Sequence, residues 1–143
     1  MRLRLARPEE LGLLEDLQRR ASLALDEYRE TLLAHPDAIV LPAEQIDRGE
    51  VVVAELGGRI AGFAVILENA GSAELDGLFV EPELWRQGVG STLVAEAVHE
   101  ARRRGLSLTV VSSPQASEFY KKCGFTVEGQ AETRFGPALK MSR

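Results

Sequence analysis

The sequence is poor in features that would point to specialised environments or partners. It has a single cysteine, Cys123, among 143 residues, which excludes an internal disulfide and makes a reducing cytoplasm the expected compartment. The longest apolar run, Ile60 to Leu67, is too short to span a membrane, and the first residues lack the apolar core of a signal peptide. A formal net charge of −5 argues against general nucleic-acid binding, which needs a basic surface. Since no spacing of histidine, cysteine and acidic residues suggests a metal site, we expect no membrane, nucleic-acid or metal partner.

The composition is that of an ordinary globular protein. Hydrophobic residues make up 45% and charged residues 27% of the chain, and 143 residues suffice for a single domain, 1–143, with a substantial core. Hydrophobic periodicity and turn residues predict strands at residues 2–6, 51–54, 60–67, 73–80, 106–111, 125–130 and 138–142. They predict helices at residues 8–21, 26–33, 43–48, 92–104 and 114–123. This order indicates an α+β fold with a mostly antiparallel sheet.

Several local features make these predictions specific. Residues 2–6 alternate arginine with leucine or alanine, which predicts a strand with one buried face. Gly57-Gly58 between two apolar runs predicts a hairpin with a type I′ turn, because that turn needs a positive φ at both central residues. Arg102 to Arg104 followed by Gly105 is typical of a solvated helix end. Ser113 and Pro114 are predicted to cap and open the last short helix.

The segment from Leu78 to Leu93 carries the strongest functional signal. It is predicted to form the end of a strand, a short loop and the start of a helix. Gly88 and Gly90 lie where the strand pattern gives way to the helical pattern. Glycine lets the backbone approach a ligand closely, and N–H groups at a helix N-terminus favour an anion. Arg86 adds positive charge and Ser91 a hydroxyl, so the segment is predicted to bind a phosphate group. The alternative is that the glycines only allow a tight strand-to-helix turn.

Spacing separates the known kinds of glycine-rich phosphate loop. No Gly-x-x-x-x-Gly-Lys-Ser/Thr run is present, and a dinucleotide fingerprint would need a third glycine at Leu93 and an acid after the next strand, which the sequence lacks. Val80-Glu81-Pro82 followed by Gly88-Val89-Gly90 resembles the pyrophosphate loop of GNAT-type N-acetyltransferases. Trp85 departs from that pattern, since the family usually has arginine or glutamine there, and Arg86 follows one place later.

A later motif strengthens the resemblance. The family pattern Asn-x-x-Ala-x-x-Phe-Tyr-x-x-x-Gly-Phe is matched at Ala116, Phe119, Tyr120, Gly124 and Phe125, with Ser113 in place of the usual asparagine. The resemblance covers roughly residue 51 to the C-terminus. It implies the GNAT fold, a mixed, mostly antiparallel sheet of six to seven strands flanked by helices, and acetyl-CoA as acyl donor.

The resemblance also implies which residues contact the coenzyme. Its pyrophosphate would lie on N–H groups from Arg86 to Ser91, and its pantetheine arm would run beside Leu78 to Val80 in the manner of an added strand. The implied contact residues are Leu78, Phe79, Val80, Trp85, Arg86, Gln87, Gly88, Val89, Gly90, Ser91, Ser113, Ala116, Phe119 and Tyr120.

Two kinds of catalytic group follow from the same resemblance. Tyr120 would protonate the departing thiolate of coenzyme A, although Ala116, Phe119, Tyr120 and Cys123 also form one apolar helical stripe in which Tyr120 could be a core aromatic. Glu74 and Asp76 share a face of one predicted strand with Leu78 and Val80, so both are expected to be partly buried. They are joint candidates for the base that takes a proton from the acceptor amine; the alternative is a solvent-facing pair.

The resemblance leaves the acceptor open. An amine on a small molecule or a peptide would attack the thioester directly in a ternary complex, and a homodimer is compatible with the family. Glu27, Tyr28 and Glu30 fall in the segment that lines the acceptor site in relatives; the alternative is that they are ordinary surface and packing residues. The alternative function is a non-catalytic acyl-CoA-binding sensor or docking domain, with which Trp85 and Ser113 are compatible; retention of Tyr120 and both strand carboxylates favours the enzyme.

Overall fold

The computed structural model describes the backbone of residues 1–143 and the side chains of all but residues 26–28. The strands are β1 (Arg2–Leu5), β2 (Val51–Leu56), β3 (Arg59–Asn69), β4 (Ser72–Val80), β5 (Leu108–Ser112), β6 (Thr126–Thr133) and β7 (Gly136–Ser142). The helices are α1 (Leu11–Leu23), α2 (Asp26–Ala34), α3 (Ala43–Asp47), α4 (Val89–Arg103) and α5 (Ser117–Lys122). In this described part of the chain, no helix is both long enough and apolar enough to cross a membrane. The side chains of Glu27 and Tyr28 lie outside the described residues, whereas Glu30 is exposed.

The strands form a seven-stranded sheet in the order β1-β2-β3-β4-β5-β7-β6. The pairs β1–β2, β2–β3, β5–β7 and β6–β7 are antiparallel, and β4–β5 is parallel. Strand β6 lies at one edge, and its register against β7 shifts between Val127 and Gly129. The expectation of an α+β fold with a mixed, mostly antiparallel sheet is thus confirmed.

The chain divides into two compact units, and the prediction of a single domain stays a prediction. The first unit comprises Met1–Val65 and Gly77–Leu93, and the second comprises Ile66–Asp76 and Val94–Arg143. Each unit has its own buried apolar side chains. Those of the first unit include Leu14, Leu17, Val51, Val53, Phe63 and Leu93. Those of the second include Val94, Ala97, Leu108, Val110 and Met141.

The glycine hairpin is confirmed. Gly57 and Gly58 have φ angles of 61° and 79°, and Leu56 pairs with Arg59 across the turn. Both central residues are therefore left-handed, as a type I′ turn requires.

One face of β1 is more covered than the other, as predicted, but it carries Arg4 rather than Leu5. Leu5 is 57% exposed, and the guanidinium of Arg4 is the partly buried group. Arg4 donates to both carboxylate oxygens of Glu10, over 2.9 and 2.8 Å, and also to Glu55. Glu10 in addition accepts the Arg7 N–H over 2.8 Å. Its hydrogen bonds with Arg4 lower the pKa of Glu10 to about 2, so a charge network adds to the β1–β2 ladder in holding the short strand.

The arginines at the end of α4 form the predicted helix end. Arg103 and Arg104 both pair with Glu100, and Arg104 also lies 3.5 Å from a carboxylate oxygen of Glu68. Gly105 follows with a φ of 70°. Since these pairs lie on the surface, they contribute little to stability.

Candidate active site

The loop before α4 turns sharply into a helix through two left-handed residues. Arg86 and Gly88 have φ angles of 67° and 86°, and α4 begins at Val89. Residues 85–88 are exposed, whereas Val89 is 1% exposed and anchors the helix start. The Thr92 N–H donates to the Gly88 carbonyl over 3.0 Å, and the Thr92 hydroxyl donates to it over 2.8 Å. Gly88 is therefore the N-cap of a helix of 15 residues.

This helix start presents N–H groups that have no acceptor within the helix. The first N–H groups of an α-helix have no intrahelical acceptor, and in α4 they belong to Val89, Gly90 and Ser91. A Cβ built on Gly88 would meet no atom within 4 Å, so the approach to these groups is open. The exposed Arg86 adds positive charge to the positive end of the helix dipole. The arrangement suits an anion such as a diphosphate.

One part of the loop prediction needs correction. Gly90 was expected between the strand and the helix, but it is the second residue of α4. The special backbone conformations fall instead on Arg86 and Gly88. Glycine at position 90 is therefore required neither by a turn nor by a positive φ.

A short turn leads from β4 into this loop. Pro82–Leu84 forms one 3-10 turn, in which the Leu84 N–H donates to the Glu81 carbonyl over 2.8 Å. The indole N–H of Trp85 donates back to the Val80 carbonyl over 2.8 Å. Glu81, which is 8% exposed, accepts two hydrogen bonds from Arg20, over 3.0 and 2.8 Å, through one carboxylate oxygen. The entrance to the loop is thus held by side chains as well as by backbone.

The end of β4 packs closely against β3 in the first unit. The Phe63 and Phe79 rings lie with their centroids 5.2 Å apart, and the Glu81 N–H donates to the Ala61 carbonyl over 2.9 Å. A Cβ built on Gly62 would lie 2.7 Å from the Phe79 carbonyl oxygen and 3.2 Å from Val89 Cγ1. Only glycine therefore allows β3 to lie so close to both ends of the loop.

Strand pairing leaves an edge of β5 open. The β4–β5 ladder joins Ala73 to Leu108 and Glu74 to Thr109. In the described ladders, the β5 residues beyond Thr109 pair only with β7, through Ser112. Unpaired backbone groups at such an edge can bind an extended chain of amides. The predicted contact residues Leu78, Phe79 and Val80 are half-buried in the last part of β4.

The two candidate bases differ in their surroundings. Glu74 is half-buried, and its carboxylate accepts a hydrogen bond from the Asn69 side chain over 2.9 Å. Asp76 is exposed, so the expectation that both would be partly buried is wrong for Asp76. In this half of β4 the buried residues are Ala73 and Leu75, on the opposite face. The carboxylate face is thus the open face of the strand.

Tyr120 lies in an aromatic cluster of the second unit. It is 8% exposed, and its ring makes edge contacts with Phe119 and Phe125 at centroid distances of 5.1 and 5.6 Å. Burial, with a smaller contribution from Cys123, raises the pKa of Tyr120 to about 12. Among the described residues the Tyr120 hydroxyl has no hydrogen-bond partner, so a protonated phenol remains available as a donor.

The predicted apolar stripe around Tyr120 is only partly correct. Ser117 and Tyr120 are the buried residues of α5, whereas Ala116, Phe119 and Cys123 are half-buried. Burial of Ser117 is possible because its hydroxyl donates to the Pro114 carbonyl over 2.7 Å.

The last short helix also starts later than predicted. Ser113 accepts the Ala116 N–H over 3.2 Å, as a capping serine does, but it caps a turn. Helix α5 begins at Ser117, three residues beyond the predicted start at Pro114.

The predicted site residues belong to different units. Leu78–Val80 and Trp85–Ser91 lie in the first, and Glu74, Asp76, Ser113, Ala116, Phe119 and Tyr120 lie in the second.

Sequence reasoning missed residues that support the loop. Gly62 stands inside an apolar strand, and a glycine in such a strand indicates that another backbone approaches closely. This signal could have identified Gly62 from the sequence. The Arg20–Glu81 pair joins positions far apart in the sequence, and neither residue has a local signal. The Trp85–Val80 hydrogen bond likewise depends on the fold of the turn between them.

Comparison with known proteins finds acetyltransferases by sequence and by structure. The sequence model of the Acetyltransferase (GNAT) family matches residues 17–125. A Bacillus subtilis protein named uncharacterized N-acetyltransferase YvbK is 29% identical over 106 residues, which are 71% of this chain and 68% of that protein. Peptidyl-lysine N-acetyltransferase YjaB of Salmonella typhimurium is 42% identical over 59 residues, 41% of this chain and 39% of that protein. The crystal structure of PaiA N-acetyltransferase from Thermoplasma acidophilum in complex with coenzyme A superimposes with a TM-score of 0.80 at 23% identity, covering 99% of this chain and 97% of that one.

Proposed function

This chain belongs to the acetyltransferase (GNAT) family, and from that membership we propose that it transfers an acetyl or other short acyl group from acyl-coenzyme A to the amine of a small molecule or a peptide. The amine nitrogen attacks the thioester carbonyl in a ternary complex, the carbon–sulfur bond breaks, and coenzyme A leaves as a thiolate. The substrate ammonium gives one proton to a base before the attack, the attacking nitrogen then loses a second proton, and the thiolate gains one. Because the amine attacks the thioester directly, no covalent acyl-enzyme forms.

The observation that carries the proposal is the open loop at the start of α4. Left-handed Arg86 and Gly88 precede a helix of 15 residues, and a Cβ built on Gly88 would meet no atom within 4 Å. We assign these N–H groups to the diphosphate of the coenzyme, with Arg86 supplying charge. The coenzyme A bound to the Thermoplasma relative supports this choice of anion.

The pantetheine arm is assigned to the last part of β4. Its amides would hydrogen-bond to the backbone of Leu78 to Val80 as an added strand does. The early end of the β4–β5 ladder, after Glu74 and Thr109, supports this assignment. A backbone N–H near Phe79 or Val80 would then stabilise the negative charge that develops on the thioester oxygen.

Tyr120 is assigned as the acid. A thiol has a pKa near 8.5, so its thiolate leaves more readily when a nearby donor protonates it. The pKa of about 12, which burial gives Tyr120, keeps the phenol protonated at neutral pH. Its hydroxyl, which has no partner among the described residues, is free to donate.

Glu74 and Asp76 are assigned jointly as the base. Both lie on the open face of β4, and either carboxylate could take the ammonium proton directly or through water. Cytoplasmic location and a homodimer stay predictions from the sequence and the family.

Titration with acetyl-CoA tests the proposal. The chain has one tryptophan, Trp85, which lies beside the loop, so its fluorescence reports binding there. At 100 times its dissociation constant a ligand raises the unfolding free energy by about 2.7 kcal/mol, which the melting temperature would show. Free-thiol release is then measured against a panel of amines that starts with a lysine peptide, because one relative is named a peptidyl-lysine N-acetyltransferase. The proposal fails if acetyl-CoA changes neither fluorescence nor melting temperature.

A pair of matched variants tests the site itself. Gly88 and Gly105 lie at the two ends of α4, both with a positive φ and both with open space around a built Cβ. Gly88→Ala and Gly105→Ala therefore carry the same backbone cost. Only Gly88→Ala places a methyl group where the diphosphate would approach. We expect weaker acetyl-CoA binding in Gly88→Ala alone, and equal affinities in the two variants would contradict the assignment.

A further inference from the structure

Trp85 makes a contact that its place in the sequence does not predict. It stands where the resemblance implies an arginine or glutamine that would reach a phosphate. Its indole N–H instead donates to the Val80 carbonyl over 2.8 Å, while the residue remains 38% exposed. The side chain thus bonds the protein's own backbone at the end of β4.

This hydrogen bond closes the turn that leads into the loop. Between Val80 and Trp85 the chain makes one 3-10 turn, Pro82–Leu84. The backbone N–H of Trp85 donates to the Pro82 carbonyl over 3.3 Å. Trp85 itself is extended, with φ −61° and ψ 149°. Its indole therefore reaches back across the turn to the strand from which the turn departs.

The residue after Trp85 has a backbone conformation that needs support. Arg86 has a φ of 67°, and non-glycine residues rarely adopt the left-handed region unless the surrounding structure determines it. Gly88 follows with a φ of 86°, and a Cβ at this position would meet no atom within 4 Å. On one side the loop is held by the buried Val89, and on the other by the turn that Trp85 closes.

We propose that Trp85 is a positioning residue for coenzyme binding. Its indole N–H fixes the Val80 carbonyl, which holds Arg86 and Gly88 in the left-handed conformations that present the N–H groups of the α4 start. The function of Trp85 is therefore exerted through the backbone rather than by contact with a phosphate. This inference rests on the proposed function, because it assumes that the loop binds acyl-coenzyme A.

The test removes the N–H while keeping the ring. Trp85→Phe does this approximately. Because Trp85 is the only tryptophan, biosynthetic replacement by the benzothiophene analogue of tryptophan does it with nearly unchanged shape and at this site alone. Glu10→Gln is the control, since it weakens the ion pair with Arg4 outside the loop and lowers stability. Acetyl-CoA affinity is measured by calorimetry, and KM and kcat are measured for both substrates.

We expect both Trp85 replacements to raise Kd and KM for acetyl-CoA by roughly two- to tenfold, the usual effect of one lost hydrogen bond. The kcat at saturation and the KM for the amine should stay at wild-type values. Glu10→Gln should lower the melting temperature with no change in acetyl-CoA affinity, which separates positioning from general loss of stability.

Three results would overturn the inference. Unchanged acetyl-CoA affinity in both replacements would show that the hydrogen bond has no role in binding. Weaker binding in Trp85→Phe but not in the benzothiophene protein would assign the effect to the ring. Failure of the unmodified protein to bind acetyl-CoA would instead refute the proposed function, and the inference about Trp85 with it. Binding by the unmodified protein therefore shows which of the two has failed when the Trp85 replacements behave unexpectedly.

Discussion

Gly62→Ala is the substitution for which the structure gives the clearest expectation. The new Cβ would lie 2.7 Å from the Phe79 carbonyl oxygen, 3.2 Å from Val89 Cγ1 and 3.3 Å from Leu93 Cδ1. The first distance is shorter than real Cβ contacts, and the atom concerned is backbone, so β3 and the end of β4 must move apart. Overpacking of this kind costs about 1–3 kcal/mol.

The control is the same substitution in another strand. Gly129 lies in β6, has no atom within 4 Å of a built Cβ and does not require a positive φ. Gly129→Ala should therefore change the unfolding free energy little. A loss of 1 kcal/mol lowers the melting temperature of a chain of this size by roughly 3 °C, so Gly62→Ala should melt at least about 3 °C below Gly129→Ala.

Chemical denaturation with guanidinium measures the difference directly, and calorimetry with acetyl-CoA measures its functional consequence. Because the Phe79 carbonyl belongs to the strand that leads into the loop proposed to bind the coenzyme, Gly62→Ala should also weaken acetyl-CoA binding. Equal denaturation midpoints for the two alanine variants would refute the reasoning, since they would show that β3 accepts the methyl group without displacing Phe79.

Further predictions concern the ionisable groups. Tyr120→Phe should lower kcat by roughly 100-fold or more if the phenol is the acid, and activity assays with saturating substrates would show this; a wild-type kcat would exclude that role. The pKa of Tyr120 is raised from 10.0 to about 12, so the folded state of the wild type should lose stability relative to Tyr120→Phe as pH rises from 10 to 12, by roughly 2–3 kcal/mol in denaturation experiments. The pKa of Glu10 is lowered from 4.5 to about 2, so its contribution to the free energy of unfolding is present above pH 4.5 and is lost as pH falls towards 2. Glu10→Gln should reduce this loss of stability in acid by up to about 3 kcal/mol. An unchanged dependence of stability on pH would contradict a stabilising ion pair between Glu10 and Arg4. Glu74→Gln and Asp76→Asn should identify the base, because the variant that lacks it loses kcat at neutral pH while acetyl-CoA affinity is retained; full activity in both would remove both candidates.

Much of the fold could be predicted because its signals are local. The hairpin at Gly57-Gly58 follows from the positive φ that its turn demands, and the buried stripe of α4, from Leu93 to Ala101, follows from helical periodicity. The same reasoning identified the loop before α4, since a glycine between a strand end and a helix start permits the positive φ that Gly88 adopts.

The errors arose where burial depends on distant partners. The alternation in β1 predicts one buried face without saying which, and Glu10 and Glu55 bring Arg4 inward by offering its guanidinium paired carboxylates while Leu5 stays exposed. Asp76 was expected to share a covered face with Leu78, yet which face of a strand is covered depends on what packs against it. Alternation alone gives the two faces and does not say which one meets solvent.

The edge strand β6 has a consequence for solubility. An exposed edge offers free backbone groups to any other strand, including the same strand of another molecule, and can seed aggregation. Here the shift of register between Val127 and Gly129 interrupts the regular ladder, and Glu128 and Glu132 put negative charge along the strand. Both features make the edge a poor template for stacking copies of the chain. We therefore expect these few residues to slow fibril formation in a concentrated sample.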